Sequence, residues 1–239
     1  NPVVSRDAVD GLREQFSGAV VGPDDAGYDE MRAVHNGLVD KRPALIARCA
    51  NTADIADAVR FARAEGLEIS TRGGGHNVAG KGVTDGGMMI DLANMRGSYV
   101  DPAKRRARIQ GGATWNEYNR ATHQHGLATT GAVISTTGVA GLTLGGGIGW
   151  LMGHFGGAVD NLTSVELVTA DGDVVQVSTE TDPELLWGLR GGGGNLGIAA
   201  SLELDAHPLD TVLGGLVAYP KNEALRVFGA YQEVTADAP

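Results

Sequence analysis

The residues with the most chemistry in prospect are Arg72-Gly73-Gly74-Gly75-His76-Asn77. Three consecutive glycines let successive backbone N–H groups point into one concavity, which suits a pyrophosphate, and Arg72 offers a charge beside it. His76 follows directly, so its side chain lies near whatever the loop holds. Taken alone, the hexapeptide reads equally well as a flexible turn with an exposed histidine, because short glycine motifs match by chance. It also overlaps a Walker-like pattern over residues 75–82. Gly75 to Lys81 fits Gly-x4-Gly-Lys, but Gly82 stands where a Ser or Thr would hold magnesium. Thr84-Asp85-Gly86-Gly87 cannot open the helix that such a loop requires, so phosphoryl transfer is the weaker reading.

Two further glycine segments follow. Thr136 to Trp150 is mostly Gly, Thr and small apolar residues, and ordering it is entropically costly unless it packs on something large and rigid. Arg190 to Ile198 contains a formal Gly-x-Gly-x-x-Gly at 192–197. A dinucleotide fingerprint follows a strand and opens a helix. Here a helix precedes and a strand follows, so the match is false, although the glycines can still line a ligand. His123, His125 and His154 have no cysteine or carboxylate cluster beside them, which predicts no metal site. Ser135 lacks the setting of a hydrolase nucleophile.

The elements that must position these loops read as α+β. Helical patterns span 6–16 and 25–36, and strands are predicted at 44–49, 67–71 and 88–92. Asn51-Thr52-Ala53-Asp54 offers a cap for a helix that ends at Gly66. A hairpin turns near Pro102, joining Tyr99-Val100 to 107–110, and a helix over 114–123 opens with a Thr114/Glu117 capping box. The stretch 126–160 reads as loop. Asp171-Gly172 joins strands 162–170 and 174–178, a short helix covers 183–189, strands cover 198–204 and 212–219, and a last helix covers 221–234. A chain of 239 residues, 42% hydrophobic and 20% charged, suffices for a sizeable core, and its 37 glycines sit in clusters. A net charge of −10 argues against nucleic acid. No apolar run is long enough for a membrane span. Cys49, the one cysteine, sits in an apolar strand and reads as an inert core thiol. No leader-like segment opens the sequence, which favours a cytoplasmic protein.

In combination and order, several strings resemble the berberine-bridge-enzyme-like FAD-linked oxidases, whose flavin domain is of the vanillyl-alcohol oxidase (PCMH) type. They are Lys41-Arg42-Pro43-Ala44-Leu45-Ile46-Ala47-Arg48-Cys49, Arg72 to Asn77, Leu144 to Leu151, Val159-Asp160-Asn161-Leu162, Val168 to Gly172, and Glu184 to Gly197. The resemblance implies an α+β fold in two subdomains with FAD between them: an N-terminal helical segment (1–36), a FAD-binding domain (37–208, divided into 37–95 and 96–208), and the start of a substrate-binding domain (209–239). Family members run to roughly twice this length, so most of the substrate-binding domain, and with it the catalytic side chains, is expected beyond residue 239. The resemblance places the pyrophosphate on Arg72, Gly73, Gly74, Gly75, His76 and Asn77, and counts Gly80 among the cofactor-binding residues. It places the ribityl chain and flavin along Gly131, Ile134, Thr137, Gly138, Gly141, Gly145, Gly146 and Gly149, and the adenine end near Ile198. His76 falls on the histidine that bonds the flavin 8α carbon. The cysteine that forms a second bond in some relatives is replaced by Ile134, so one covalent link is expected. The loop Gly153-His154-Phe155-Gly156-Gly157 departs from the family's pattern. The implied activity is transfer of a hydride from an alcohol, sugar or amine to flavin, with O2 as acceptor. The alternatives are a flavin-binding piece that is catalytically incomplete, a non-flavin nucleotide-binding protein using the loop 75–82 and, ranked last, a glycine-rich structural module with no ligand.

Overall fold

The computed structural model describes residues 4–237. Residues 1–3 of the expected N-terminal segment, and 238–239, lie outside the described residues. The chain divides into two compact units, Asn1–Leu209 and Asp210–Pro239.

The first unit begins with α1 (Arg6–Gln15), β1 (Ala19–Val21), α2 (Tyr28–Arg32), β2 (Leu45–Arg48), α3 (Thr52–Ala64), β3 (Ile69–Arg72) and β4 (Met88–Asp91). These strands form one sheet in the order β1-β2-β4-β3, with β2, β4 and β3 parallel and β1 antiparallel to β2. Parallel strands are buried on both faces, and the side chains alternate accordingly. Leu45, Ala47, Met88 and Ile90 face α3, while Ile46 and Met89 face Tyr28 and Val83 on the other side. The N-terminal segment thus contributes a strand, which its polar surroundings hid from the sequence reading. Of the helix read over 25–36, only Tyr28–Arg32 is helical.

The α3 terminus is fixed by two acceptors. Asn51 accepts from the Asp54 N–H at 3.0 Å. The Asp54 carboxylate, itself buried, accepts from the N–H groups of Ser17, Gly18 and Ala50 at 2.8–3.0 Å. One side chain therefore ties the entry of β1 to the end of β2.

The unit continues with β5 (Ser98–Asp101), β6 (Arg106–Gln110), α4 (Trp115–His123), β7 (Leu127–Ala128), α5 (Val139–Leu144), α6 (Met152–Phe155), β8 (Leu162–Val168), β9 (Val174–Ser178), α7 (Pro183–Gly192), β10 (Ile198–Asp205) and β11 (His207–Pro208). Five of these strands make an antiparallel sheet, β5-β6-β10-β8-β9, and β7 pairs with β11. One face of the large sheet gives Val168, Ile198 and Ala200 to the core around α3. The opposite face packs Ile109, Val165, Leu167, Leu202 and Leu204 on α4, α5 and α7. Helix α3 thereby lies between two sheets.

At the start of α4, Glu117 reaches back and accepts from the Thr114 N–H at 2.8 Å and from its hydroxyl. Burial works against the Glu117 charge, but the hydrogen bonds from Thr114 and the nearby Arg96 outweigh it and hold its carboxyl below its ordinary value. A depressed carboxylate stabilises the fold fully above its unfolded value and loses that contribution as pH falls through the folded one. Glu117→Ala is therefore expected to cost about 1 kcal/mol at neutral pH, with the difference from wild type shrinking in acid. Thermal unfolding of both proteins at neutral pH and near pH 3.5 checks this; a pH-independent difference would contradict it.

Two further sequence expectations fail. The stretch 126–160, read as loop, holds β7, α5, α6 and a 3-10 turn at Ala158–Asn161. Glycines break the apparent periodicity there, yet Val139, Ala140 and Leu144 still bury one face of α5. Residues 212–219, read as a strand, form none. Leu213 and Leu216 are fully exposed, and alternating apolar residues make a strand only where a partner strand exists. In the second unit a 3-10 turn at Lys221–Glu223 leads into α8 (Ala224–Ala236). No helix among the described residues is long and apolar enough to cross a membrane.

Candidate cofactor site

The loop after β3 leaves the carboxyl end of the parallel strands, where open α/β sheets place their ligands. Gly75 adopts φ +73°, which only glycine takes without strain. A Cβ on Gly74 would overlap the Gly138 backbone nitrogen, and one on Gly138 would overlap that of Gly74. A Cβ on Gly73 would lie 2.9 Å from the Gly111 carbonyl oxygen. The loop is thus seated backbone on backbone against the second sheet's connections. Among the described residues, the N–H groups of Gly73 through Asn77 donate to no protein acceptor.

Beneath the loop lies an ion triad. The Asp91 carboxylate is fully buried at the end of β4. It accepts from Arg72 Nε at 3.0 Å and Nη2 at 2.7 Å, from Arg48 Nε at 2.9 Å, and from the Ala93 N–H at 3.0 Å. Arg72 Nη1 also donates to the Ala33 carbonyl at 2.7 Å. The sequence offers Arg72 as a charge beside the ligand; the structure directs its guanidinium mostly to Asp91, so its first task is to support the loop.

His76 is partly buried. Its Nε2 lies 3.0 Å from the Thr136 hydroxyl, and its ring stacks on His35 at a centroid separation of 4.0 Å and an interplanar angle of 13°. Burial, and secondarily the charge of His35, lower the His76 value from that of an ordinary imidazole, favouring the neutral ring.

A cleft of about 630 Å³ opens beside this loop. Arg72 to Gly75 line it with His35, Arg48, Arg96, Gly112, Glu117, Ser135 and Thr136. A second cavity of about 440 Å³ adjoins it, sharing Asn116 and Ser135 and adding Gly131, Arg120, His123 and Trp150. A Cβ on Gly131 would meet the Trp115 ring, so the chain there lies flat on the indole.

The other predicted positions scatter along the same region. Ile134 is 55% exposed near Thr136, and Thr137 and Gly138 carry the strip of backbone that meets Gly74. Gly141 lies on the open face of α5, and Gly145, Gly146 and Gly149 continue from it. Gly80 closes a turn with its N–H on the Asn77 carbonyl, packed on Val39 and away from the cleft lining. Ile198 is buried in the core around α3 and lines neither cavity. No helix follows the loop before β4, which removes the Walker-like arrangement over 75–82.

Sequence reasoning missed His35, Arg48, Asp91 and Gly112, while Thr136 lies in the glycine-rich segment that it singled out. Asp91 left one signal, an acid ending the otherwise apolar strand Met88–Asp91. Gly111-Gly112 left another, a glycine pair after a strand, where a Cβ on Gly112 would overlap the Leu92 carbonyl. His35, in a polar segment, left none.

The chain matches the FAD binding domain family over residues 43–178. It is 40% identical over 205 residues to (R)-6-hydroxynicotine oxidase of Paenarthrobacter nicotinovorans, covering 85% of this chain and 45% of that protein. Its fold superposes on the crystal structure of 6-hydroxy-D-nicotine oxidase from Arthrobacter nicotinovorans with a TM-score of 0.80, covering 81% of this chain and 43% of the other at 40% identity. It also superposes on glucooligosaccharide oxidase from Acremonium strictum, which carries a 6-S-cysteinyl, 8α-N1-histidyl FAD, with a TM-score of 0.78 at 33% identity, covering 83% and 42%. The chain spans about half the length of the curated relatives it matches. With its glycine loop seated on a second α+β layer and the family matched across both, the chain belongs to the FAD-linked oxidoreductases with a PCMH-type FAD binding domain.

Proposed function

We propose that this chain holds FAD along the cleft beside Gly73–His76, with one covalent bond from His76 to the flavin 8α carbon, and forms the flavin half of an oxidase acting on an alcohol, sugar or amine. The observation that carries the reading is the seat of Gly74 on Gly138, which leaves the loop's N–H groups unpaired with the neutral His76 ring at its end. The donor set fits the group. Successive unpaired amides suit a diphosphate, and Arg48 and Arg96 line the same cleft, each paired with a carboxylate, Asp91 and Glu117 respectively.

Bound flavin supplies the hydride and oxygen chemistry, and the protein supplies position and electrostatics. Gly73, Gly74 and Gly75 bind through their backbone. Arg72 and Asp91 hold that backbone in place. Thr136 engages Nε2 of His76, which leaves Nδ1 as the unengaged ring nitrogen. The hydrocarbon side chain of Ile134 cannot form a thioether, so the link is single. The exposed Val212, Leu213, Leu216 and Val217 support the further reading that the isolated chain holds flavin without turning over substrate.

The test is to purify the chain and precipitate it in acid. The expected result is yellow, fluorescent protein in the pellet. Colour in the supernatant alone removes the covalent link and leaves non-covalent FAD; a colourless pellet and supernatant overturn the flavin reading.

A further inference from the structure

The segment Ala33–Asn36 is stitched to the glycine loop at three points. Arg72 Nη1 donates to the Ala33 carbonyl at 2.7 Å, the His35 N–H donates to the Gly75 carbonyl at 3.0 Å, and Asn36 Nδ2 donates to the Val78 carbonyl at 2.9 Å. These bonds bracket His35 on both sides and fix its backbone against the residue before His76. Its ring is otherwise exposed and makes no side-chain hydrogen bond among the described residues, yet it lies face to face on His76. An exposed imidazole with no polar partner, delivered by a three-point backbone clamp onto one other ring, is placed for that ring.

We propose that His35 is a positioning residue for covalent flavin attachment: its ring and the Thr136 hydroxyl clamp the His76 imidazole in the one orientation from which it bonds the 8α carbon. The inference rests on the flavin reading above. Attachment replaces one C–H bond of the 8α methyl and the N–H bond of the imidazole with a C–N bond. The two electrons released pass to the flavin ring and then to dioxygen, which leaves with the two protons as hydrogen peroxide. The nitrogen lone pair must point at the carbon, so the rate depends on the imidazole's rotation about its own bonds. Thr136 restrains one edge of the ring and leaves rotation about that contact open. A parallel ring on the face removes it. Stacking needs an aromatic face, not a proton, so phenylalanine can take over and alanine cannot.

The experiment follows attachment in time. Flavin-free chain is mixed with FAD in air, and flavin fluorescence on the denatured polypeptide is read at intervals. His35→Ala is expected to slow attachment at least about tenfold, and His35→Phe to restore it to within about threefold of wild type. All rates are read at saturating FAD, so that any change in affinity from altering a side chain that lines the cleft does not enter the attachment rate. Attachment by His35→Ala at the wild-type rate overturns the proposal. So does a His35→Phe chain as slow as His35→Ala. Each of these leaves the flavin reading standing. A wild-type chain that binds FAD but never bonds it overturns both the clamp and the covalent link, and one that binds no FAD overturns the flavin reading with them.

Discussion

His76→Ala is expected to abolish covalently held flavin, leaving all colour in the acid supernatant while the folded variant still retains FAD. The argument separates the bond from the seat. The contacts proposed for the diphosphate come from backbone N–H groups of Gly73 to Asn77, and these do not depend on the residue 76 side chain. The seat itself is Gly74 on Gly138, which the substitution leaves untouched. What disappears is the nucleophile. His76 is suited to that role because burial, and secondarily the adjacent His35, lower its value and so favour the neutral ring, which has a lone pair to give. Ile134, 55% exposed near Thr136, offers no second nucleophile, so nothing replaces the lost bond. The measurement is absorbance of supernatant and pellet after acid precipitation, beside the Tm of the native variant. Persistent flavin on the denatured His76→Ala polypeptide would mean that another residue forms the bond.

How much of this was legible in the sequence depends on whether the signal was local. Strands such as Leu45–Arg48 and Met88–Asp91 announce themselves because both faces are buried and every position is apolar until the last. The Thr114/Glu117 spacing predicted the start of α4, since a capping box is written within four residues. The glycine loop was visible, but its partner was not. Only the structure brings Gly138 against Gly74, because the two lie 64 residues apart and their meeting is a fact of packing. The helix α5 is hidden for the opposite reason: its glycine content imitates a loop, although the helix needs only Val139, Ala140, Thr143 and Leu144 on one face. Arg72 was noticed for its charge, and the structure redirects that charge to Asp91 through long-range contacts that no spacing rule contains. His35 lay in a polar stretch whose importance comes from three hydrogen bonds to a loop about 40 residues on, a distance set by the fold.

The largest loss of stability should follow Asp91→Asn. Asp91 has no exposed side-chain surface, while Arg72 retains 10% and Arg48 26%. The carboxylate takes three bonds from these two guanidiniums and a fourth from the Ala93 N–H. Asparagine keeps the shape but brings no charge, and its NH2 faces donors where a carboxylate oxygen accepted. Removing one partner of a buried ion pair costs about 3–5 kcal/mol, because the remaining charge stays desolvated without compensation. Here one arginine is deeply buried and the other is partly solvated, so the lower half of that range is the expectation at neutral pH. The consequence extends to the cofactor site. Arg72 ends β3 and its side chain anchors both the glycine loop and, through Ala33, the segment that carries His35. Asp91→Asn should therefore weaken FAD retention as well as lower the urea midpoint, whereas Asp91→Asn with Arg72→Met, which removes the stranded deeper charge, should recover part of the midpoint without recovering the flavin. Urea unfolding and flavin content of the three proteins check this together. Full stability in Asp91→Asn, or a double variant less stable than the single, would show that the triad does not hold the loop.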